Sequence, residues 1–488
     1  MISRIKQYLK DNRALLICFF SALLMMTIYS ENSFIYKMNG WADVNAMFNV
    51  GRSMLKGKVL YADVFDHKGF YAYIPYILGA VISFNSYVGI YVVEVISYTV
   101  FLYFVYKTWN LYVEKNSDVF IPFFAIAINN SLFFYRGGSS EEFTWPFIMI
   151  GLYLVLAHTK NETMHKKYIW IVEGILTGLV FWNKFSLSIF FVGITVYVFF
   201  YWIGKDWIRI VETALLWLAG LIIASIPVVL YFSITKNLNT MWKVYIVNNI
   251  FDYTGSRTSL ANIIKFMIPF INYVFIIILL IMIVKKVVDK NTALLSIIYM
   301  VSCFIYVIFI TGTFVYIYNV FAPLYAICFI GVISFFDKLI KNKKVYNYLV
   351  LPIFACVFVL AMNTSFRVKN TSRLSEYDVY TEMAEFMQND DKEDTDNSLF
   401  LLDYYDEGIY VISEQIPSGK YFTKYNLEID GIDDYKNDFI KNKKCKYIIT
   451  TDKGEYNENL LKEYYKKEKS ISYTHDGYMM EIVCWKKQ

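Results

Sequence analysis

A succession of long apolar runs occupies residues 14–362, and this feature constrains the fold more than any other. Most runs approach the roughly 20 apolar residues that a helix needs to cross a bilayer. Only 18% of the 488 residues are charged, whereas a soluble globular chain carries about a quarter. The pattern therefore predicts a polytopic α-helical membrane protein.

Basic residues give the predicted spans a direction, because Lys and Arg concentrate in short cytoplasmic loops. Every loop predicted to be cytoplasmic is basic, including those around Lys107, Arg209 and Lys285. We expect about eleven spans in a plasma membrane, with a cytoplasmic N-terminus and an extracytoplasmic C-terminus. The predicted spans are 14–30, 88–106, 118–135, 143–158, 168–182, 185–203, 210–232, 262–284, 292–312, 319–336 and 346–362.

Two long external segments interrupt these spans, at residues 31–87 and 233–261. The first contains the apolar stretch Tyr71–Phe84, which at about 14 residues is too short for a comfortable span. If it crossed the membrane, every later Lys-rich loop would face outward. We therefore predict a re-entrant or interfacial helix at this stretch.

The long apolar runs end at residue 362. We predict a transmembrane module over residues 1–362 and a small extracytoplasmic α/β domain over residues 363–488. Its periodicities alternate between helical and extended patterns. The predicted helices are Glu376–Gln388, Asp433–Lys441 and Tyr456–Lys466, and the predicted strands are Leu399–Tyr404, Ile409–Ser413, Lys446–Thr451, Ile471–Thr474 and Met479–Trp485.

The first external segment begins with an amphipathic helix that Asp43 opens. One face is apolar at helical spacing and the other is polar, so the helix is expected to lie in the membrane surface. Asp43 is either an active-site carboxylate or simply an N-cap, which Asp favours. The apolar face holds Val44, Met47, Phe48, Gly51 and Leu55, and the polar face holds Asn45, Asn49, Arg52 and Lys56.

A polar loop, residues 61–69, connects this helix to the interfacial stretch. It carries Asp63 and His67 and ends in Lys68-Gly69. A Lys next to a Gly suits a phosphate, because a point charge then lies beside exposed backbone amides. The alternative is that Lys68 extends to lipid headgroups, as any interfacial Lys does.

These residues resemble the first external loop of the GT-C superfamily of membrane glycosyltransferases. The pattern is Trp41-Ala42-Asp43, then Gly51 and Gly57, then Tyr61-Ala62-Asp63, then Lys68-Gly69. It is most similar to the bacterial family 39 enzymes, which include protein mannosyltransferases and aminoarabinose transferases. That family usually has Pro after the Lys-Gly pair, where this chain has Phe70. The resemblance implies an acidic residue after the first span, juxtamembrane helices and an extracytoplasmic C-terminal domain.

A second acidic site follows the third predicted span, in the segment Arg136–Glu142. Glu141 and Glu142 are either an active-site pair, as the resemblance implies, or first-turn residues that compensate the helix dipole behind Ser140. Asp43 and Glu142 would be the oxygen ligands if a divalent cation such as Mg²⁺ or Mn²⁺ were bound. The sequence leaves metal dependence open.

The resemblance adds further substrate-binding candidates at the predicted external helix ends and in the loop 233–261. They are expected to bind the phosphate or sugar of the donor. Each also has a simpler explanation, as a solvated or lipid-facing charge or as part of an aromatic belt. The candidates are Arg136, Lys184, Lys243, Arg257 and Tyr318.

The resemblance implies transfer of a sugar from a polyprenyl-phosphate-linked donor to a glycan, a teichoic-acid-like polymer or a protein. Asp43 would be the general base of an inverting displacement, and Lys68 would stabilise the leaving phosphate. The competing interpretations are a transporter or flippase for lipid-linked glycans and a non-catalytic envelope scaffold. A transporter would carry its ionisable residues inside the spans, where few occur here. The net charge of +5 is too small to favour nucleic acid as a partner.

Overall fold

The computed structural model describes residues 12–488, except 114–116, 132–133, 253–279, 282–283, 311–318, 340–351, 361–373, 391–397, 426–428 and 476–477. Helices dominate the part before residue 340. Proline occupies the first turn of three of them, Ile74–Ile82, Ile121–Asn129 and Trp145–Lys160, where a missing N–H costs nothing. These helices are α1 (Arg13–Tyr29), α2 (Ala42–Leu55), α3 (Ile74–Ile82), α4 (Val88–Trp109), α5 (Ile121–Asn129), α6 (Trp145–Lys160), α7 (Lys167–Phe181), α8 (Ile189–Trp202), α9 (Trp207–Ile234), α10 (Leu238–Met241), α11 (Lys290–Ile310) and α12 (Ala322–Leu339).

Four of the described helical segments are long and apolar enough to cross a membrane: Val88–Trp109, Glu142–Lys160, Phe185–Trp202 and Trp207–Ile234. Shorter apolar helices include Arg13–Tyr29 and Lys290–Tyr306. The predicted span 262–284 falls almost wholly outside the described residues, as does part of the span 346–362. The total number of spans stays a prediction.

The predicted span 118–135 is shorter than expected, because α5 ends at Asn129. The chain turns at Asn130 and Ser131, and the Ser131 hydroxyl donates to the carbonyl oxygen of Ile128 at 2.6 Å. Short polar side chains of this kind compete with the helical hydrogen bonds and end the helix. The prediction extended the helix too far because Phe134 and Tyr135 are apolar.

The interfacial stretch forms the nine-residue helix α3. At 1.5 Å per residue it is about 14 Å long, roughly half of the hydrocarbon core. It packs closely on α2, because a Cβ atom at Gly51 would lie 3.0 Å from the backbone nitrogen of Ile77. This approach of two helices without an intervening side chain explains the glycine in the middle of α2.

Packing divides the chain into two compact units. One contains the described residues of 1–29, 94–228 and 256–368, and the other those of 30–93, 229–255 and 369–488. The second unit thus combines most of the two segments predicted to be external with the C-terminal domain. We call these the helical unit and the external unit.

The C-terminal domain (residues 374–488) is built on a four-stranded sheet with the strand order β1-β2-β4-β3. β1 is parallel to β2, and the other neighbouring pairs are antiparallel. Phe400, Ile448 and Trp485 lie in its buried core with Phe439 and Leu461. In chain order the elements are α13 (Leu374–Asn389), β1 (Leu399–Leu401), α14 (Ile409–Ile412), α15 (Ile432–Lys441), β2 (Tyr447–Thr451), α16 (Glu458–Tyr464), β3 (Tyr465–His475) and β4 (Tyr478–Lys487).

The predicted strand Ile409–Ser413 is wrong, since Ile409–Ile412 is a helical turn. Its β-branched residues favour a strand, but the preceding segment starts a helix. Gly408 has φ +117°, and the Asp406 carboxylate accepts hydrogen bonds from the amides of Gly408 and Ile409. The helix predicted at Tyr456–Lys466 also ends earlier, at Tyr464, because Tyr465 begins the long strand β3.

Cysteine labelling tests the predicted direction of the chain. Cys356 is exposed and the other five cysteines are buried, so a Cys356→Ser background removes the exposed thiol. Lys56 and Asn161 are exposed and lie in loops predicted to face opposite sides. We expect Lys56→Cys to react with a membrane-impermeant maleimide in intact cells, and Asn161→Cys to react only after permeabilisation. The reverse pattern would contradict the predicted orientation.

Candidate active site

Asp43 lies in the first turn of α2 without capping it. The N-cap is Trp41, and no side-chain hydrogen bond caps the helix. The Asp43 carboxylate is 42% exposed, and its Oδ1 lies 3.5 Å from Nζ of Lys68. The simple capping explanation therefore does not account for Asp43, and one carboxylate oxygen is directed to a lysine from the following loop.

Lys68 is a buried lysine placed between two carboxylates. Its side chain is 8% exposed, and Nζ lies 3.8 Å from Oδ2 of Asp66 as well as 3.5 Å from Asp43. The His67 ring adds to this group, with Nδ1 3.1 Å from Oδ1 of Asp66. Burial of an ammonium is costly unless it is paired, and here Asp66 and Asp43 provide the pairing.

The Asp66 carboxyl is ionised in this environment. Burial by itself would raise its pKa, but the Lys68 ammonium and the hydrogen bonds from His67 outweigh burial and hold the pKa below its usual range. Asp66 was not among the predicted site residues, although it lies two positions before Lys68. The prediction chose Asp63 instead.

Asp63 serves a different purpose in the structure. It is exposed, and its Oδ2 accepts a hydrogen bond of 2.8 Å from the amide of Val59, which closes the turn ahead of the loop. Lys243 is exposed on the π-helix Trp242–Asp252, which follows α10. The substrate-binding roles of Asp63 and Lys243 stay predictions.

Three of the four residues on the polar face of α2 are buried and Lys56 is exposed, which corrects the amphipathic expectation. Asn45, Asn49 and Arg52 are fully buried. The Asn49 amide donates to Oδ2 of Asp406 at 2.6 Å, and Arg52 donates to Oδ1 of Asn49 at 2.8 Å. The face that was predicted to meet water instead forms a buried polar network with the C-terminal domain.

In the helical unit, Glu141 and Lys184 form a close ion pair, with 2.6 Å between Oε1 and Nζ. Glu141 is almost fully buried, and Ser140 donates to its other oxygen at 3.1 Å. Lys184 is therefore already balanced by a carboxylate. Neither of its predicted roles, phosphate binding or extension to lipid, accounts for this contact.

Glu142 takes part in the start of a helix. Its amide donates to Oγ of Ser139 at 3.0 Å, and its Oε2 accepts from the amide of Ser139 at 3.4 Å. This reciprocal pattern is a capping box. Helix chemistry thus accounts for Glu142, with Ser139 rather than Ser140 as the capping residue.

Arg136, Arg257 and Tyr318 are the other predicted substrate-binding residues. The Arg136 guanidinium lies 5.3 Å from the ring centre of Tyr135. Arg257 and Tyr318 lie outside the described residues. No cluster of three or more His, Cys, Asp or Glu side chains suited to a metal ion occurs in the described part of the chain. A cation bound by Asp43 and Glu142 stays a prediction.

Two crystal structures of ArnT from Cupriavidus metallidurans match almost the whole chain. The structure bound to undecaprenyl phosphate gives a TM-score of 0.58 at 13% identity and covers 98% of this chain and 97% of ArnT. The apo structure gives 0.59 at 12% identity and covers 99% and 98%. This chain has the fold of ArnT. The resemblance to the GT-C aminoarabinose transferases is therefore confirmed at the level of the fold.

No protein-family model and no curated protein matches the sequence. The likeness to ArnT is therefore carried by structure, and an identity of 12–13% transfers no residue roles. The ArnT fold and the apolar helices together support a membrane location.

We predict that the contribution of the buried Asp66 carboxylate to the free energy of unfolding depends on pH. Its folded pKa is lowered, so the stability it contributes is present above the ordinary carboxyl pKa of about 4 and is lost as the pH falls below it. We expect Asp66→Asn to lower the free energy of unfolding by about 3 kcal/mol at pH 7, and this deficit to shrink towards pH 3.

Denaturation of the purified protein at both pH values measures this deficit. Asp378→Asn is the control, because Asp378 is 69% exposed, and it should change stability by less than about 0.5 kcal/mol. A deficit that is equal at pH 7 and pH 3 would contradict the account of Asp66.

The Glu141–Lys184 pair makes a second prediction. Lys184→Met leaves a buried carboxylate without its cation and should cost about 3 kcal/mol. Adding Glu141→Gln removes the orphaned charge, so the double variant should be more stable than the single one. Thermal unfolding of the wild type, the two single variants and the double variant gives the coupling free energy. Losses of stability that simply add in the double variant would argue against a coupled pair.

Proposed function

We propose that this chain is an integral membrane glycosyltransferase. It moves a sugar, a hexose or a pentose, from a polyprenyl-phosphate-linked donor to a cell-envelope acceptor on the extracytoplasmic face. The acceptor is a glycan, a teichoic-acid-like polymer or a protein. The observation that carries the proposal is the contact between the half-exposed Asp43 carboxylate and the buried Lys68 ammonium within an ArnT-like fold.

The fold supports the class of enzyme and the class of donor. ArnT is a membrane transferase of the GT-C superfamily, and one of its structures is bound to undecaprenyl phosphate. Coverage of 98% of this chain includes both the helical part and the C-terminal domain. A chain that shares the complete architecture is better suited to bind a polyprenyl phosphate than to be a scaffold.

The geometry of Asp43 suits a general base. Its Oδ1 faces Lys68, the side chain is 42% exposed, and the other oxygen bonds to no described residue. An acceptor hydroxyl can therefore donate its proton to Asp43 while its oxygen displaces the phosphate from the anomeric carbon. This single displacement inverts the configuration at that carbon. The adjacent Lys68 ammonium would stabilise the negative charge that develops on the leaving phosphate.

Charge balance sets a requirement on this mechanism. The formal charges of Asp43, Asp66 and Lys68 sum to minus one, so a phosphate needs further positive charge. We assign this positive charge to Lys243 and Arg257, or to a divalent cation such as Mg²⁺ or Mn²⁺ that arrives with the donor. Lys184 contributes less, because Glu141 already balances it.

Replacement of Asp43 tests the general base. Asp43→Asn keeps the size of the side chain and removes its basicity, so transfer from a lipid-linked donor should fall by a factor of about 10²–10⁴. Asp434→Asn is the matched control, since Asp434 also lies in the first turn of an α-helix. The control should keep full activity, and both variants should remain folded.

Retention of transfer by Asp43→Asn would reject Asp43 as the base. Movement of the lipid-linked glycan across the bilayer by the wild-type chain, without transfer, would favour the flippase interpretation over the transferase.

A further inference from the structure

Phe65 connects the polar loop to the C-terminal domain through both of its backbone groups. Its amide donates to the carbonyl oxygen of Lys420 at 3.0 Å, and its carbonyl oxygen accepts from the Tyr425 hydroxyl at 2.9 Å. The Phe65 ring is buried against the rings of Tyr421 and Tyr425, each 5.1 Å away between centroids. All of these residues belong to the external unit.

The carbonyl groups that follow Phe65 are also held by side chains. The carbonyl oxygen of His67 accepts from the Asn249 amide at 2.8 Å, and that of Lys68 accepts from the hydroxyls of Tyr61 and Tyr73. Residues 65–68 form no helix or strand, so these side chains replace the usual backbone partners. The position of the Lys68 ammonium therefore depends on side-chain donors that include Asn249, which is distant in sequence.

The C-terminal domain also holds α2, the helix that carries Asp43. Asp406 accepts from Asn49, and the carbonyl oxygen of Tyr410 accepts from Arg52 at 3.3 Å. Asn49, Arg52 and Asp406 are all fully buried. The same domain thus contacts the two elements that bring Asp43 and Lys68 together.

We propose that the C-terminal domain is a positioning element of the active site, and that Tyr425 is a positioning residue that acts through Phe65 on Lys68. The inference rests on the proposed function, because it assigns Lys68 to the phosphate of the lipid donor. The Tyr425 hydroxyl fixes the loop, and loss of this hydrogen bond leaves the buried Phe65 carbonyl without a partner.

A pair of Tyr→Phe variants isolates this hydroxyl. Tyr425→Phe removes the hydrogen bond to Phe65 and keeps the ring. Tyr421→Phe is the matched control, since its ring packs on Phe65 at the same distance and its hydroxyl bonds to no described residue. The measured quantity is the Kd of a fluorescent polyprenyl phosphate for the full-length chain in lipid nanodiscs.

We expect Tyr425→Phe to weaken binding about tenfold and Tyr421→Phe to leave it unchanged. A purely structural role for Tyr425 would not depend on Lys68, so both changes are repeated in a Lys68→Met/Asp66→Asn chain. That background removes both charges of the Lys68–Asp66 pair, so neither is left buried without its partner. There, Tyr425→Phe should have no further effect on binding.

Equal effects of the two Tyr→Phe variants, or the same tenfold loss in the Lys68→Met/Asp66→Asn chain, would overturn the inference. Normal binding by Tyr425→Phe would overturn it too. A wild-type chain that binds no polyprenyl phosphate would instead contradict the proposed function, so the two failures are distinguishable.

Discussion

The buried ammonium of Lys68 is the constraint on which the external unit depends. An unpaired buried charge costs several kcal/mol, and the chain meets this cost with carboxylates from two separate elements, the polar loop and α2. The pairing fixes the loop relative to the helix and gives the Asp43 carboxylate a defined orientation. Asp66 balances Lys68 at every pH at which it stays ionised, so Asp43 keeps one oxygen for another partner.

This arrangement explains why the polar loop carries so many side-chain donors. A loop that must hold a charge in one place cannot rely on regular secondary structure, and its carbonyl groups need partners. Tyr61, Tyr73 and Asn249 provide them from within the external unit. The C-terminal domain adds Tyr425 and the buried network around Asp406, which makes it part of the same compact unit rather than a separate module.

Much of the helical architecture could be predicted because the signals are local. Apolar runs marked the helices, and the start of α2 and the bounds of α4 came close to the observed ones. Asp43 and Lys68 were recognised because one opens a helix and the other precedes a glycine at an interfacial stretch. Their contact with each other was not predicted, and the resemblance to a family implied only that both belong to one active site.

What the sequence did not reveal lies in contacts between distant residues. Asn49 donates a hydrogen bond to Asp406, and Glu141 forms an ion pair with Lys184. No local sequence pattern indicates either contact. Asp63 and Asp66 look equivalent in the sequence. In the structure Asp63 accepts a hydrogen bond from the amide of Val59, whereas Asp66 pairs with Lys68. The helical turn at Ile409 was missed because capping by Asp406 outweighs the strand preference of β-branched residues.

The central claim is that the chain transfers a sugar from a polyprenyl phosphate to an envelope acceptor. Mass spectrometry of envelope glycans and polyprenyl lipids from cells with and without the chain tests it most directly. The account predicts that one sugar substituent disappears from the glycans and that the matching sugar-linked polyprenyl phosphate accumulates. Unchanged glycans with no accumulated lipid-linked sugar would contradict it.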